Sequence, residues 1–128
     1  MSHRIVICDD EPHITLAVSM KLMKAGFNVE IANDGQGAWE AIQRETPELL
    51  ITDYQMPRMD GLELCKHVRK IHSSEQLPIF MLTAKGLELD SDGLKAELGI
   101  NRFILKPFSP RDLLKVVQEI LEPAVAAS

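Results

Sequence analysis

Apolar residues along this chain come in short runs separated by longer stretches of helical period, the pattern of repeated βα units. The first run, Ile5 to Cys8, is followed by "PHITLAVSMKLMKAG", where Pro12 marks a helix start and Gly26 its C-terminal stop. In "FNVEIA" the residues Phe27, Val29 and Ile31 alternate with polar neighbours, which predicts an edge strand with one wetter face. "DGQGAWEAIQRE" reads as a short helix carrying Trp39 and Ile42, and "ELLIT" is a third apolar run ending at Asp53. "GLELCKHVRKI" places Leu62, Cys65, Val68 and Ile71 on one helical stripe, and "LPIFMLT" is the fourth run, ending at Thr83. "GLELDSDGLKAELG" predicts a weaker helix broken by Gly93, and "RFILK" a fifth strand. "SPRDLLKVVQEILE" closes the series, with Ser109 as N-cap, Pro110 at the first helical position and Leu113, Val117, Ile120 and Leu121 facing inward.

Strict alternation of strand and helix predicts a flavodoxin-like (βα)5 fold: a doubly wound parallel sheet of strand order 2-1-3-4-5 with helices on both faces. Runs one, three, four and five are continuously apolar, as strands covered on both sides should be. The 128 residues suit one domain, expected over 1–122, with 123–128 a flexible tail or the start of a linker.

Composition narrows the function. A formal net charge of -5, with acids and bases interspersed, provides no basic stripe for nucleic acid. Without an apolar leader or a membrane-length apolar run, a soluble, cytoplasmic chain that engages no membrane is expected. Cys8 and Cys65 read as small core residues, and His3, His13, His67 and His72 as solvated side chains, since no ligand spacing links them.

Parallel sheets of this kind bind ligands beyond the carboxyl ends of their strands. Strand one delivers Asp9, Asp10 and Glu11 to that rim, strand three Asp53, strand four Thr83 and strand five Lys106. Taken singly, Asp53 is a turn residue, Thr83 a strand-end cap and Lys106 a solvated lysine; the signal lies in their convergence. Carboxylates so close cannot all stay ionised without a counter-charge. All-oxygen donors suit a hard divalent cation such as Mg2+. Beside such an ion Asp53 could act as a nucleophile toward a phosphoryl group, with Thr83 and Lys106 taking the remaining oxygens.

In "CDDEP", "LLITDYQMPRMDGLEL", "MLTAKG" and "FILKPFS", in this order, the chain resembles the receiver domains of bacterial response regulators, from about Arg4 to Leu121. The resemblance implies that Asp53 is the phosphoacceptor for a sensor histidine kinase, a phosphotransfer protein or a small phosphodonor. It implies direct Mg2+ ligation by Asp10 and Asp53, a water-mediated role for Asp9, and a ligand from the backbone carbonyl of Gln55. Lys106 would bind a phosphoryl oxygen, and its bond to Pro107 would be cis. Thr83 matches the switch hydroxyl and Phe103 the switch aromatic, whose inward turn would alter the surface of the fourth helix, fifth strand and fifth helix toward a target protein or output domain. The domain would promote its own phosphorylation and dephosphorylation without being an enzyme in the usual sense.

Phe103 stands where tyrosine is common, so inward and outward positions would differ mainly in burial. "GINRFILKPF" lacks an acidic pair that supports symmetric dimers in one class of relatives, which leaves a monomer or a phosphorylation-dependent dimer. Gln55 and Lys85 flank the path of an attacking water and would set the phosphoryl lifetime. A flavodoxin-type cofactor protein is disfavoured because three acids would repel a phosphate in the first loop. A dehalogenase-type phosphatase would want an acid where Gln55 stands. A receiver-like module that binds proteins independently of phosphorylation is the remaining alternative.

Overall fold

The computed structural model describes residues 3–84 and 91–123, in which strand and helix alternate throughout. In order these are β1 (Arg4–Cys8), α1 (Pro12–Lys24), β2 (Asn28–Ala32), α2 (Gly35–Arg44), β3 (Leu49–Asp53), α3 (Gly61–Arg69), β4 (Ile79–Ala84), α4 (Ser91–Leu98), β5 (Arg102–Lys106) and α5 (Pro110–Leu121). The five strands pair in parallel in the order β2-β1-β3-β4-β5, the topology expected from the sequence.

Side chains on β1, β3 and β4 alternate between two apolar clusters, one on each face of the sheet. Val6, Cys8, Leu50, Ile79 and Met81 point toward α2, α3 and α4. Ile5, Ile7, Leu49, Ile51, Phe80 and Leu82 point toward α1 and α5. Every residue of β1 and β3 is buried, and each Leu or Ile removed from water contributes roughly 1.5–3 kcal/mol. The middle of the sheet is therefore a stiff base, and the site stands on its upper rim.

Helix ends follow their sequence signals. Asp34, Asp60 and Ser109 cap α2, α3 and α5 by accepting N–H groups of Gly37, Glu63 and Asp112 at 2.7, 2.9 and 3.0 Å. Pro12 and Pro110 begin their helices, and Gly26, with φ 98°, takes the left-handed position after α1 that a side chain would resist.

Several expectations are corrected. Gly93 lies inside α4 and does not break it. The buried face of α3 is Leu64, Cys65 and Val68, whereas Leu62 is half-buried and Ile71, beyond the helix end, is 60% exposed. β5 is continuously apolar in its middle but only half-buried, because it is the second edge strand and lacks a neighbour on one side. α1 turns Thr15 and Ser19 inward, their hydroxyls donating to the carbonyls of Pro12 and Leu16, and leaves Leu16, Met20 and Met23 exposed. Both cysteines are free and fully buried, as expected.

Candidate functional site

Parallel register brings the chemical residues to one rim. Asp53 ends β3 opposite Leu82, one step below Thr83, and Lys106 ends β5 opposite Ala84. Asp9 and Asp10 follow the last residue of β1. Carboxylate oxygens of Asp9, Asp10 and Asp53 lie within 4.8 Å of one another; Asp9 and Asp53 are buried and Asp10 is exposed. The Lys106 ammonium sits 2.9 Å from Asp9 Oδ2, 3.3 Å from Asp53 Oδ2 and 3.8 Å from Glu11 Oε2.

One ammonium does not neutralise this group. Asp9 is 0% exposed; its Oδ1 accepts the Glu11 N–H at 2.9 Å, while Oδ2 faces the Lys106 ammonium at 2.9 Å and has no further donor among the described residues. Burial and then the Asp9 charge push the Asp53 carboxyl up to about 6, against the opposing pull of Lys106. Burial works to lower the Lys106 ammonium, yet its contacts with Asp9 and Asp53 win and hold it above the ordinary lysine value. An under-coordinated buried oxygen beside two further carboxylates is a donor set that fits a hard divalent cation. Asp9, Asp10 and Asp53 are the side chains that would hold it.

The other expected residues lie around this centre. Thr83 is buried at the rim and shares the α3–α4 face of the sheet with Met81 and Phe103, two positions apart in the alternation. Phe103 is half-buried against that cluster, with the Lys95 ammonium 6.0 Å from its ring centre. Gln55 is exposed in the turn between β3 and α3. The Lys106–Pro107 peptide is cis. Lys85 lies outside the described residues, as do residues 124–128 of the segment expected to be a tail or linker start.

Sequence reasoning missed how the turn after Asp53 is held. Gly61 packs so closely that a Cβ there would lie 2.2 Å from the Asp53 carbonyl oxygen, while its N–H bonds to the Tyr54 carbonyl at 2.9 Å. Gly61→Ala must displace the backbone of Asp53. The expected result is a loss of about 1–3 kcal/mol in denaturant unfolding, together with weaker Mg2+ binding; a fully stable variant with unaltered binding contradicts this. Arg58 was missed too: it has φ 68° and pairs with Asp34, the cap of α2. The "DG" before a helical pattern could have exposed the cap, but nothing in the sequence links it to Arg58.

Fold and rim together define a doubly wound α/β domain with an acidic, metal-compatible site at its strand ends. Residues 5–118 match the family model of the response regulator receiver domain. The chain is 37% identical, over all 128 of its residues, to the alkaline phosphatase synthesis transcriptional regulatory protein PhoP of Bacillus subtilis (strain 168), of which it spans 52%. It thus covers about half the length of that curated relative. The chemotaxis response regulator CheY4 of Vibrio cholerae superposes with a TM-score of 0.83 at 32% identity, covering 94% of this chain and 100% of that one. A putative response regulator from Chloroflexus aurantiacus J-10-fl gives 0.80 at 36% identity, covering 94% and 98%. The chain belongs to the response regulator receiver domain family of two-component signalling.

Proposed function

We propose that this receiver takes a phosphoryl group on Asp53 in a Mg2+-dependent reaction and uses it to switch the surface formed by α4, β5 and α5. The observation that carries the reading is the meeting of Asp9, Asp10 and Asp53 within 4.8 Å, with Lys106 3.3 Å from Asp53. An Asp53 carboxylate oxygen attacks the phosphorus of a phosphohistidine on a sensor kinase or phosphotransfer protein. The P–N bond breaks, its electron pair leaves with the imidazole nitrogen, and an acyl phosphate forms. Mg2+ held by Asp9, Asp10 and Asp53 would supply positive charge to offset that of the phosphoryl group. Lys106 shifts from a carboxylate oxygen to a phosphoryl oxygen, and the Thr83 hydroxyl donates to another. Attack by water on phosphorus returns the carboxylate and inorganic phosphate.

The new group brings about -1.5 to -2 charge to a rim already rich in acid. Drawing Thr83 toward it frees space on the face that Thr83 shares with Phe103. The half-buried ring then moves further inward and changes what the α4–β5–α5 surface presents to a target protein or output domain.

The test is intact mass after incubation with Mg2+ and a small phosphodonor, alongside amide NMR with a beryllofluoride mimic, for this chain and for Asp53→Ala. One added phosphoryl group, and mimic-dependent shifts reaching Thr83 and Phe103, both absent from Asp53→Ala, are expected. Neither mass gain nor shifts in a chain that still binds Mg2+ would leave a module that binds partners independently of phosphorylation.

A further inference from the structure

The turn joining Asp53 to α3 holds Arg58 at φ 68°, a conformation that glycine adopts freely and an L side chain resists. The guanidinium explains why arginine occupies it. Arg58 Nε lies 3.0 Å from Asp34 Oδ2, and Nη2 contacts the same oxygen. Asp34 is itself fixed: it is 6% exposed, and its other oxygen accepts the Gly37 N–H at 2.7 Å.

The same two segments touch at neighbouring points. Gly35, beside Asp34, packs so tightly on Met59, beside Arg58, that a Cβ would lie 2.0 Å from the Met59 carbonyl oxygen. Cys8, the residue before Asp9, donates its thiol to the Asp34 carbonyl at 3.1 Å and touches Met56 Sδ at 3.0 Å. The turn that contains Gln55 is thereby strapped to the start of α2 and to the end of β1. The Arg58 side chain is 75% exposed, so the pair contributes little stability. Its consequence is geometric.

We propose that Arg58 and Asp34 form a positioning pair that holds the turn after Asp53, and with it the Gln55 carbonyl, in the arrangement required for Mg2+ binding. The inference rests on the metal reading above and goes beyond it, because neither residue belongs to the proposed ligand set. Partners one step removed from ligands commonly change metal affinity by about 10–100-fold.

Arg58→Gly separates positioning from both charge and stability. Glycine relieves the left-handed backbone, so the metal-free melting temperature should hold. Removing a positive charge near an acidic site would, by electrostatics alone, tighten Mg2+ binding. Positioning requires the opposite sign. Mg2+ titrations followed by calorimetry and amide shifts should show about tenfold weaker binding in Arg58→Gly, with Arg58→Lys in between and all three proteins melting alike. Equal or tighter binding in Arg58→Gly, beside normal binding by the unaltered chain, overturns the pair alone. Absence of saturable Mg2+ binding by the unaltered chain overturns the metal reading and the pair with it.

Discussion

Replacing Asp53 with asparagine is expected to make the metal-free protein more stable while abolishing phosphorylation. The Asp53 carboxyl is raised to about 6 by burial and by the charge of Asp9, whereas an unfolded aspartate ionises near 3.9. Between those values the native state holds the proton more tightly than the unfolded chain. Stability therefore falls as pH rises through this window, and above about pH 6 the native state carries the full cost of an ill-placed charge. That cost is at most about 3 kcal/mol. Residual solvent contact and the lost ion pair with Lys106 reduce it, so Asp53→Asn should gain roughly 1–2 kcal/mol at pH 7.5 without divalent cations. Urea unfolding from pH 4 to pH 8 should show the unaltered chain losing stability across the window and the variant following a flatter curve. A variant less stable than the unaltered chain at pH 7.5 would show that the carboxylate is already well satisfied without a metal.

Arg69→Ala should be strongly damaging although Arg69 stands away from the rim and outside both apolar clusters. Its guanidinium leaves the end of α3 and donates to the carbonyls of Leu98 at 2.5 Å, Leu77 at 2.8 Å, Gly99 at 3.0 Å and Ser73 at 3.1 Å. One side chain thus joins the end of α4 to the α3–β4 connection. Truncation strands several part-buried carbonyls, each costing about 1–3 kcal/mol where water cannot replace the donor. Since Arg69 is only half-buried, some will be rehydrated, and a net loss of about 3 kcal/mol is expected, near 10 °C in melting temperature. Arg69→Lys should recover little, because one ammonium cannot span carbonyls on two segments. A loss below about 0.5 kcal/mol for the alanine variant, an ordinary surface value, would mean that water serves these carbonyls as well as the guanidinium does.

The fold was legible because the buried strands alternate with capped helices. Ile5 to Cys8 and Leu49 to Asp53 announce strands by apolar continuity, and Asp9, Asp53, Thr83 and Lys106 share a rim because parallel strands all end on the same side. Contacts made by geometry without a compositional mark were not legible. The α3 face of Leu64, Cys65 and Val68 keeps the helical period, whereas a stripe spaced every three residues drifts about 60° around the helix at each step. Arg69 reads as one more cation in "KHVRK" until α4 is folded against it. Arg58 reads as a turn residue until Asp34, 24 positions earlier, is beside it.

The half-buried β5 has one further consequence, for self-association. An edge strand exposes a row of unpaired N–H and C=O groups on which a second chain can extend the sheet. Here the strand is five residues long, carries Arg102 and Lys106 at its ends and is followed at once by Pro107, which has no N–H to offer. The opposite edge, β2, is equally short and carries Glu30 at its centre, engaged by Arg4 and Arg44. Both borders of the sheet thus discourage strand-to-strand pairing between copies.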